Sequence, residues 1–169
     1  MRSLRKSIVA LLMLTGPSVG GTINVPGDQP SIAAAINAAN DGDTIFIEAG
    51  IYDEADLFIQ SADISIIGAL NADGSPAVTL DGQLTHQILL GIGIAGASGA
   101  TIENVTFTGS LGNALWIYHH SPTIRNCVFM GNSAETQGTA VWSSSTEAIF
   151  ESCQFIDNNG GDNGIIVFN

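Results

Sequence analysis

Apolar positions along this chain come in short runs broken by Gly, Asn, Asp and Ser: TIFIEAG, ISIIGA, AVTLDG, ILLGIGI, ATIENVTF, ALWIY, PTIRNCVF, TAVW, AIFESCQF and GIIVF. Alternating runs of this length, rich in β-branched and aromatic residues and closed by turn formers, predict strands. Helical spacing occurs in one place, SIAAAINAAN, where Ile32, Ala35, Ile36 and Ala39 fall at i, i+3, i+4 and i+7. Ser31, after Pro30, is placed to cap that helix, and Asp41-Gly42-Asp43 to end it.

Self-comparison shows how the strands are arranged. TIENVTFTGS, TIRNCVFMGN and IFESCQFIDN are three copies of one pattern. Ile102, Ile124 and Phe150 correspond, as do Asn104, Asn126 and Ser152, then Val105, Cys127 and Cys153, then Phe107, Phe129 and Phe155. The copies are spaced 22 and 26 residues apart, and two further series recur every 26 residues: Gly112, Gly138 and Gly164, and Trp116, Trp142 and Phe168. Repeats of this length with several short strands and no helix predict a solenoid that coils once per repeat. No single coil can bury its apolar side alone, so coils stack, with like positions about 4.8 Å apart.

Within a copy the pattern reads in, out, bend, in, out, in. Ile124 points inward, Arg125 outward, Asn126 turns the corner, Cys127 and Phe129 point inward and Val128 outward. Asn suits the corner because it tolerates left-handed backbone and its amide can bond to the Asn of the next coil.

The stretch TINVPGDQPSIAAAINAANDGDTIFIEAGIYDE resembles the N-terminal cap and first coil of right-handed parallel β-helix proteins of the pectin-lyase-like superfamily. The I-x-N-C-x-F-x-x-N copies resemble the repeats of secreted bacterial β-helix proteins and the F-x-x-N repeats of autotransporter-type surface proteins. The resemblance implies an all-β fold: a right-handed single-stranded parallel β-helix with a short capping α-helix, the cap over about 22–50 and the coils over about 51–169. It says little of activity, because the superfamily holds lyases, hydrolases, esterases, adhesins and proteins of no known activity.

Charge and the two ends of the chain narrow the expected setting. The start, MRSLRKS, IVALLML and then TGPSVGGT, has the basic, apolar and small-residue parts of an export signal, which predicts a leader over 1–20 and a secreted or cell-surface protein. Its apolar run is too short to span a bilayer, and no later stretch is long enough. After the leader, Arg125 is the one Arg or Lys beside 16 acidic residues. Such a surface repels nucleic acid and anionic lipid, and polyuronates too unless a divalent cation bridges them. At the other end, GIIVFN stops within a predicted strand. The expectation is a fragment of a longer protein, or end-to-end self-association through an uncapped last coil.

Five groups of residues are candidates for chemistry. Arg125 falls between its repeat equivalents Glu103 and Glu151, an outward ladder that reads as charge compensation rather than as a base or substrate clamp. Cys127 and Cys153 occupy equivalent inward positions, either as a pair of buried thiols or as a disulfide. Trp116 and Trp142, with Tyr118 and His119 beside them, make either an inward core stack or an outward strip of the kind that stacks on sugar rings; alternation allows both. WIYHH loosely resembles the W-I-D-H stretch of one pectate lyase family through Trp116, Ile117 and His119, but Tyr118 stands where that stretch has Asp, which removes its calcium-side chemistry. His119 and His120 read as a surface turn, and His86 has no partner in the sequence. The acids Asp41/Asp43, Asp53/Glu54/Asp56, Asp73 beside Asn71, and Asp157/Asp162 fall in turn sequences; Ca²⁺ is the one cofactor they suggest, without the full spacing of a calcium loop.

Two functions compete. One is a non-catalytic exported module for adhesion or contact with polysaccharide or cell-surface glycan. The other is a polysaccharide lyase, glycoside hydrolase or pectin-esterase-like enzyme on the same fold. The scarcity of cations and the lack of the Asp-Thr-Asp, Gly-His-Gly and Gln-Asp-Thr stretches of the enzymes favour the first.

Overall fold

The structure, a computed structural model, describes residues 20–59, 63–86, 88–93, 99–134, 140–144, 147–160 and 166–168. The described elements in chain order are β1 (Thr22–Val25), α1 (Ile32–Ala38), β2 (Thr44–Ile47), β3 (Gly50–Tyr52), β4 (Leu57–Ile59), β5 (Ser65–Gly68), β6 (Val78–Asp81), β7 (Ile88–Gly93), β8 (Thr101–Glu103), β9 (Val105–Thr108), β10 (Asn113–Tyr118), β11 (Thr123–Arg125), β12 (Val128–Met130), β13 (Val141–Ser144), β14 (Ile149–Glu151), β15 (Gln154–Ile156) and β16 (Ile166–Phe168). They form three parallel sheets that run along a solenoid. Sheet 1 has the order β1-β2-β5-β8-β11-β14, sheet 2 β3-β6-β9-β12-β15, and sheet 3 β4-β7-β10-β13-β16. The fold class expected from the repeats is the one observed.

The corners between sheets 1 and 2 are made by the residues the copies line up. Asn104, Asn126 and Ser152 hold left-handed backbone, with φ of 62°, 48° and 54°. Asn126 Nδ2 donates to Asn104 Oδ1 at 2.9 Å, and Asn104 Nδ2 to Gly68 O at 3.2 Å, so the amides run as a ladder along the corner. Sheet 2 ends at a second left-handed corner, Gly109, Gly131 and Asp157. A second polar ladder follows it. Asn132 Oδ1 accepts from Ser110 N at 3.0 Å, and Asn132 Nδ2 donates to Phe107 O at 3.0 Å and to Asn158 Oδ1 at 2.9 Å. Asn132 is fully buried, so these bonds replace the water its amide gives up.

Inside, like side chains stack on like. Ile45, Ile66, Ile102 and Ile124 are in register on sheet 1. On sheet 3, Leu57, Leu90, Leu115 and Val141 form one inward row, and Ile59, Ile92, Ile117 and Ser143 the next. All of these are buried. Phe107 stacks on Phe129 and Phe129 on Phe155, each pair with centroids 5.0 Å apart. Each fully buried aliphatic or aromatic side chain of this kind contributes about 1.5–3 kcal/mol.

The first turn is closed differently. Helix α1 joins β1 to β2 and packs against β1, β2 and β4. Ile32 and Ala35 of its apolar stripe are buried, and Ile36 and Ala39 are partly so. Ser31 Oγ accepts from Ala34 N at 3.1 Å, as its capping position predicts. The carboxylate of Glu54, one of the candidate acids, takes the Ile32 and Ala33 N–H groups at 2.9 Å each. Three N–H groups that a helix start leaves without partners are thereby satisfied.

Candidate functional site

The aromatic residues of sheet 3 point outward. Their parity follows from the neighbours: Leu115, Ile117, Val141 and Ser143 are buried, which turns Trp116, Tyr118, Trp142 and Ser144 to the outer face, where each is half-buried. Trp116 is opposite Trp142, and Tyr118 opposite Ser144. On the other side Trp116 is opposite Gly91, and Gly91 opposite Phe58. Gly91 has no side chain, and the Phe58 ring lies over the space where a Cβ would be. Phe58 thereby reaches Trp116 across one coil, edge to face, at 6.5 Å.

The three larger rings form a shingled platform. Trp116 and Trp142 are 5.6 Å apart with planes at 5°, Trp116 and Tyr118 5.5 Å at 14°, and Tyr118 and Trp142 6.3 Å at 16°. Three near-parallel rings whose centroids form a nearly equilateral triangle cannot be a single column. They must be displaced sideways, and each of the three residues stays partly exposed. The pairs are worth about 0.5–1.5 kcal/mol each beyond the area they bury.

His119 follows directly, exposed and with φ of 57°, its ring 3.9 Å from that of Tyr118. His119 N–H donates to Ser144 O at 3.0 Å, which ties the end of the platform to the next coil. None of β4, β7, β10 and β13 contains a carboxylate or a Lys or Arg. The platform can stack on an apolar ring face and offer an imidazole and hydroxyls at its edge; it carries no carboxylate pair for acid–base work.

The other candidates are placed as follows. Arg125 Nε donates to Glu151 at 2.7 Å and its Nη1 to Glu103, across three successive coils. Hydrogen bonding to Glu151, then the two carboxylate charges, push the guanidinium even further up, which rules it out as a base. The thiols of Cys127 and Cys153 are free, Cys127 buried and Cys153 partly exposed. Arg125 and Cys127 lie on opposite faces of the wall. Asp43 accepts from Gly21 N and Asn40 N, Asp41 from Asp63 N, and Asp73 from Ser75 N, so these acids serve turns. Asp56 lies 3.9 Å from His86, both exposed. Among the described residues no three His, Cys, Asp or Glu gather to hold a metal ion. Asp162, Gly138 and Gly164 lie outside the described residues.

Two expectations need correction. His120 belongs to the core, 5 % exposed, and not to a surface turn; only His119 is at the surface. The left-handed residue at 119 turns the chain so that 120 points in. The third member of the aromatic series is also displaced. Strand β16 sets Val167 opposite Trp142, and Phe168 opposite Ser143. Hydrogen-bond register, not the constant 26-residue spacing, aligns the last coil.

Sequence reasoning missed Phe58, which lies outside the copies, and the Ser110–Asn132–Asn158 ladder, buried at Ser110 and Asn132. The signal for that ladder was there, in the Ser or Asn three residues after each repeated Phe.

Residues 90–169 match the family described as the right handed beta helix region. The three stacked parallel sheets make the described residues a parallel β-solenoid, the fold that this match over residues 90–169 describes. No curated protein matches it. Among the described residues, no helix is long and apolar enough to cross a membrane.

Proposed function

We propose that the protein is a non-catalytic β-helix module, exported and acting outside the cell or at its surface, that contacts carbohydrate through Trp116, Trp142 and Tyr118, with His119 at the rim. The observation that carries this reading is the triangle of near-parallel, half-exposed rings on an outer sheet face. A pyranose ring has an apolar C–H face that suits the negative face of an aromatic ring, while its hydroxyls remain free for His119 and Ser144. The excess of acidic residues selects against polyanionic chains, so the ligand is a neutral glycan.

The test is a panel of neutral oligosaccharides and polyuronates, read by tryptophan fluorescence and calorimetry, with a lyase and hydrolase assay on the same samples. Binding of a neutral glycan without turnover, weakened at least tenfold in both Trp116→Ala and Trp142→Ala, supports the proposal. Turnover, or binding that survives both substitutions in folded protein, overturns it.

A further inference from the structure

Cys127 and Cys153 are next to each other across one rung of the solenoid. The strands that follow them pair with Val128 opposite Gln154, and Gln154 N–H donates to Cys127 O at 2.9 Å. Neighbouring strands of a sheet lie about 4.8 Å apart, a Cα separation that a disulfide accepts.

Both side chains take the same orientation. Cys127 Sγ lies 3.3 Å from Arg125 O and 3.7 Å from Ile102 O. Cys153 Sγ lies 3.5 Å from Glu151 O and 3.4 Å from Ile124 O. Each thiol therefore has one carbonyl on its own coil and one on the coil before. The hydrogen bonds the two thiols make there are weak S–H···O contacts.

The two thiols differ in access. Cys127 is fully buried, whereas Cys153 is partly exposed, beside the half-buried Phe155 and the exposed Ser152. Cys127 lies beneath the rung of Cys153, and Cys153 lies on the last described rung of sheets 1 and 2.

We propose that Cys153 is a site of thiol–disulfide exchange with small-molecule disulfides, and that Cys127 resolves the mixed disulfide into a Cys127–Cys153 bond between adjacent coils. The Cys153 thiolate attacks one sulfur of the small disulfide. A bond forms from Cys153 Sγ to that sulfur, the small S–S bond breaks, and the released thiolate takes a proton. Cys127 Sγ then attacks Cys153 Sγ, its S–H bond breaks, and the second small thiolate takes that proton as it leaves. The net change is two protein thiols and one small disulfide to one protein disulfide and two small thiols, with the small disulfide as oxidant.

Electrostatics favour Cys153 over Cys127 as the first attacker. The neighbouring Cys127 thiol holds Cys153 below its ordinary value, against opposing contributions from burial and the Glu151 carboxylate. The same pairing, then burial, pushes Cys127 up. Glu151 is the charged group that acts on Cys153, from the outer face of the wall, and it is itself held by Arg125. A thiol lowered from its ordinary value toward ambient pH is the better attacker in such exchange.

The experiment treats the full chain with oxidised glutathione at neutral pH and follows intact mass, free thiols and a non-reducing peptide map. Expected are loss of both thiols, a mass lower by two hydrogens, and a linked Cys127–Cys153 peptide. Cys127→Ser should stop at a glutathione adduct on Cys153. Cys153→Ser, shown by circular dichroism to be folded, should leave Cys127 unreactive until denaturant is added. The proposal is overturned if folded wild-type protein stays reduced, stops at a stable adduct, or forms only linked dimers. It is also overturned if folded Cys153→Ser reacts as fast as wild type.

Discussion

The side-chain amide of Asn126 donates to that of Asn104 at 2.9 Å, and both residues hold the left-handed backbone that turns the chain from sheet 1 to sheet 2. Left-handed backbone costs roughly 1–2 kcal/mol for a residue with a Cβ and no local compensation, and a net hydrogen bond is worth about 1 kcal/mol. Asn126→Ala should therefore lower stability to chemical denaturation by about 2–3 kcal/mol. Asn126→Gly, free of the backbone strain, should lose only the smaller part. Ser152→Asn should extend the ladder by one rung and raise stability.

Asn132→Ala should be as damaging by a different route. It removes a fully buried amide and strips the partners from Ser110 N and Phe107 O. An unsatisfied buried group costs about 1–3 kcal/mol. Asn132→Asp should not rescue, because a carboxylate cannot donate to Phe107 O. Urea denaturation of the three proteins side by side checks both points.

Phe129 is stacked between Phe107 and Phe155 and is fully buried, whereas Phe155 is half-buried. Phe129→Ala should destabilise by about 3–5 kcal/mol, the range for emptying a core aromatic site. Phe155→Ala should lose clearly less. Equal losses in a denaturation series would show that the two sites are equally enclosed.

Arg125→Ala should have a small effect that salt erases. All three side chains of the Glu103–Arg125–Glu151 ladder are at least partly in solvent, where ion pairs are weak and screened. Without the guanidinium, two carboxylates face each other across its coil, so the loss should be visible at low ionic strength and vanish in high salt. A loss unchanged by salt would point to packing of the Arg125 stem.

Acid should loosen the N-terminal turns and the 71–76 loop first. Hydrogen bonds from the Asn24, Asn40 and Ser75 groups hold the carboxyls of Asp28, Asp43 and Asp73 below their ordinary values. A carboxyl depressed on folding contributes stability above its unfolded value, and that stability is lost as pH falls through the folded value. The thermal midpoint should hold down to about pH 4 and drop below it. Asp43→Asn should flatten that drop. Hydrogen exchange at Gly21 and Asn40 is the local readout.

Much of the wall was legible in the sequence because a solenoid turns long-range contacts into a repeat. Once TIENVTFTGS, TIRNCVFMGN and IFESCQFIDN are aligned, their stacking is given, and so are the Asn104–Asn126 corner, the Arg125 pairing and the Phe107–Phe129–Phe155 column. The contacts of Glu54 and Phe58 were not legible, because neither residue has an aligned counterpart in the three copies. Glu54 caps α1 only because the next coil passes beside the helix start, and Phe58 reaches Trp116 only because Gly91 leaves the space between them empty.

By itself, the sequence determined the coil, its corners and which residues share a row. The tertiary structure decided which way the WIY face looks. Alternation places Trp116 opposite in sense to Leu115 whichever of them is inside, and only closing three sheets around one core seals Leu115 and Ile117 and leaves the aromatic rings half-buried on the outer face. The same closure took His120 into the interior, and hydrogen-bond pairing put Val167 rather than Phe168 opposite Trp142. The direction of a side chain and the register of the last coil depend on the surface each strand packs against, which no local pattern contains.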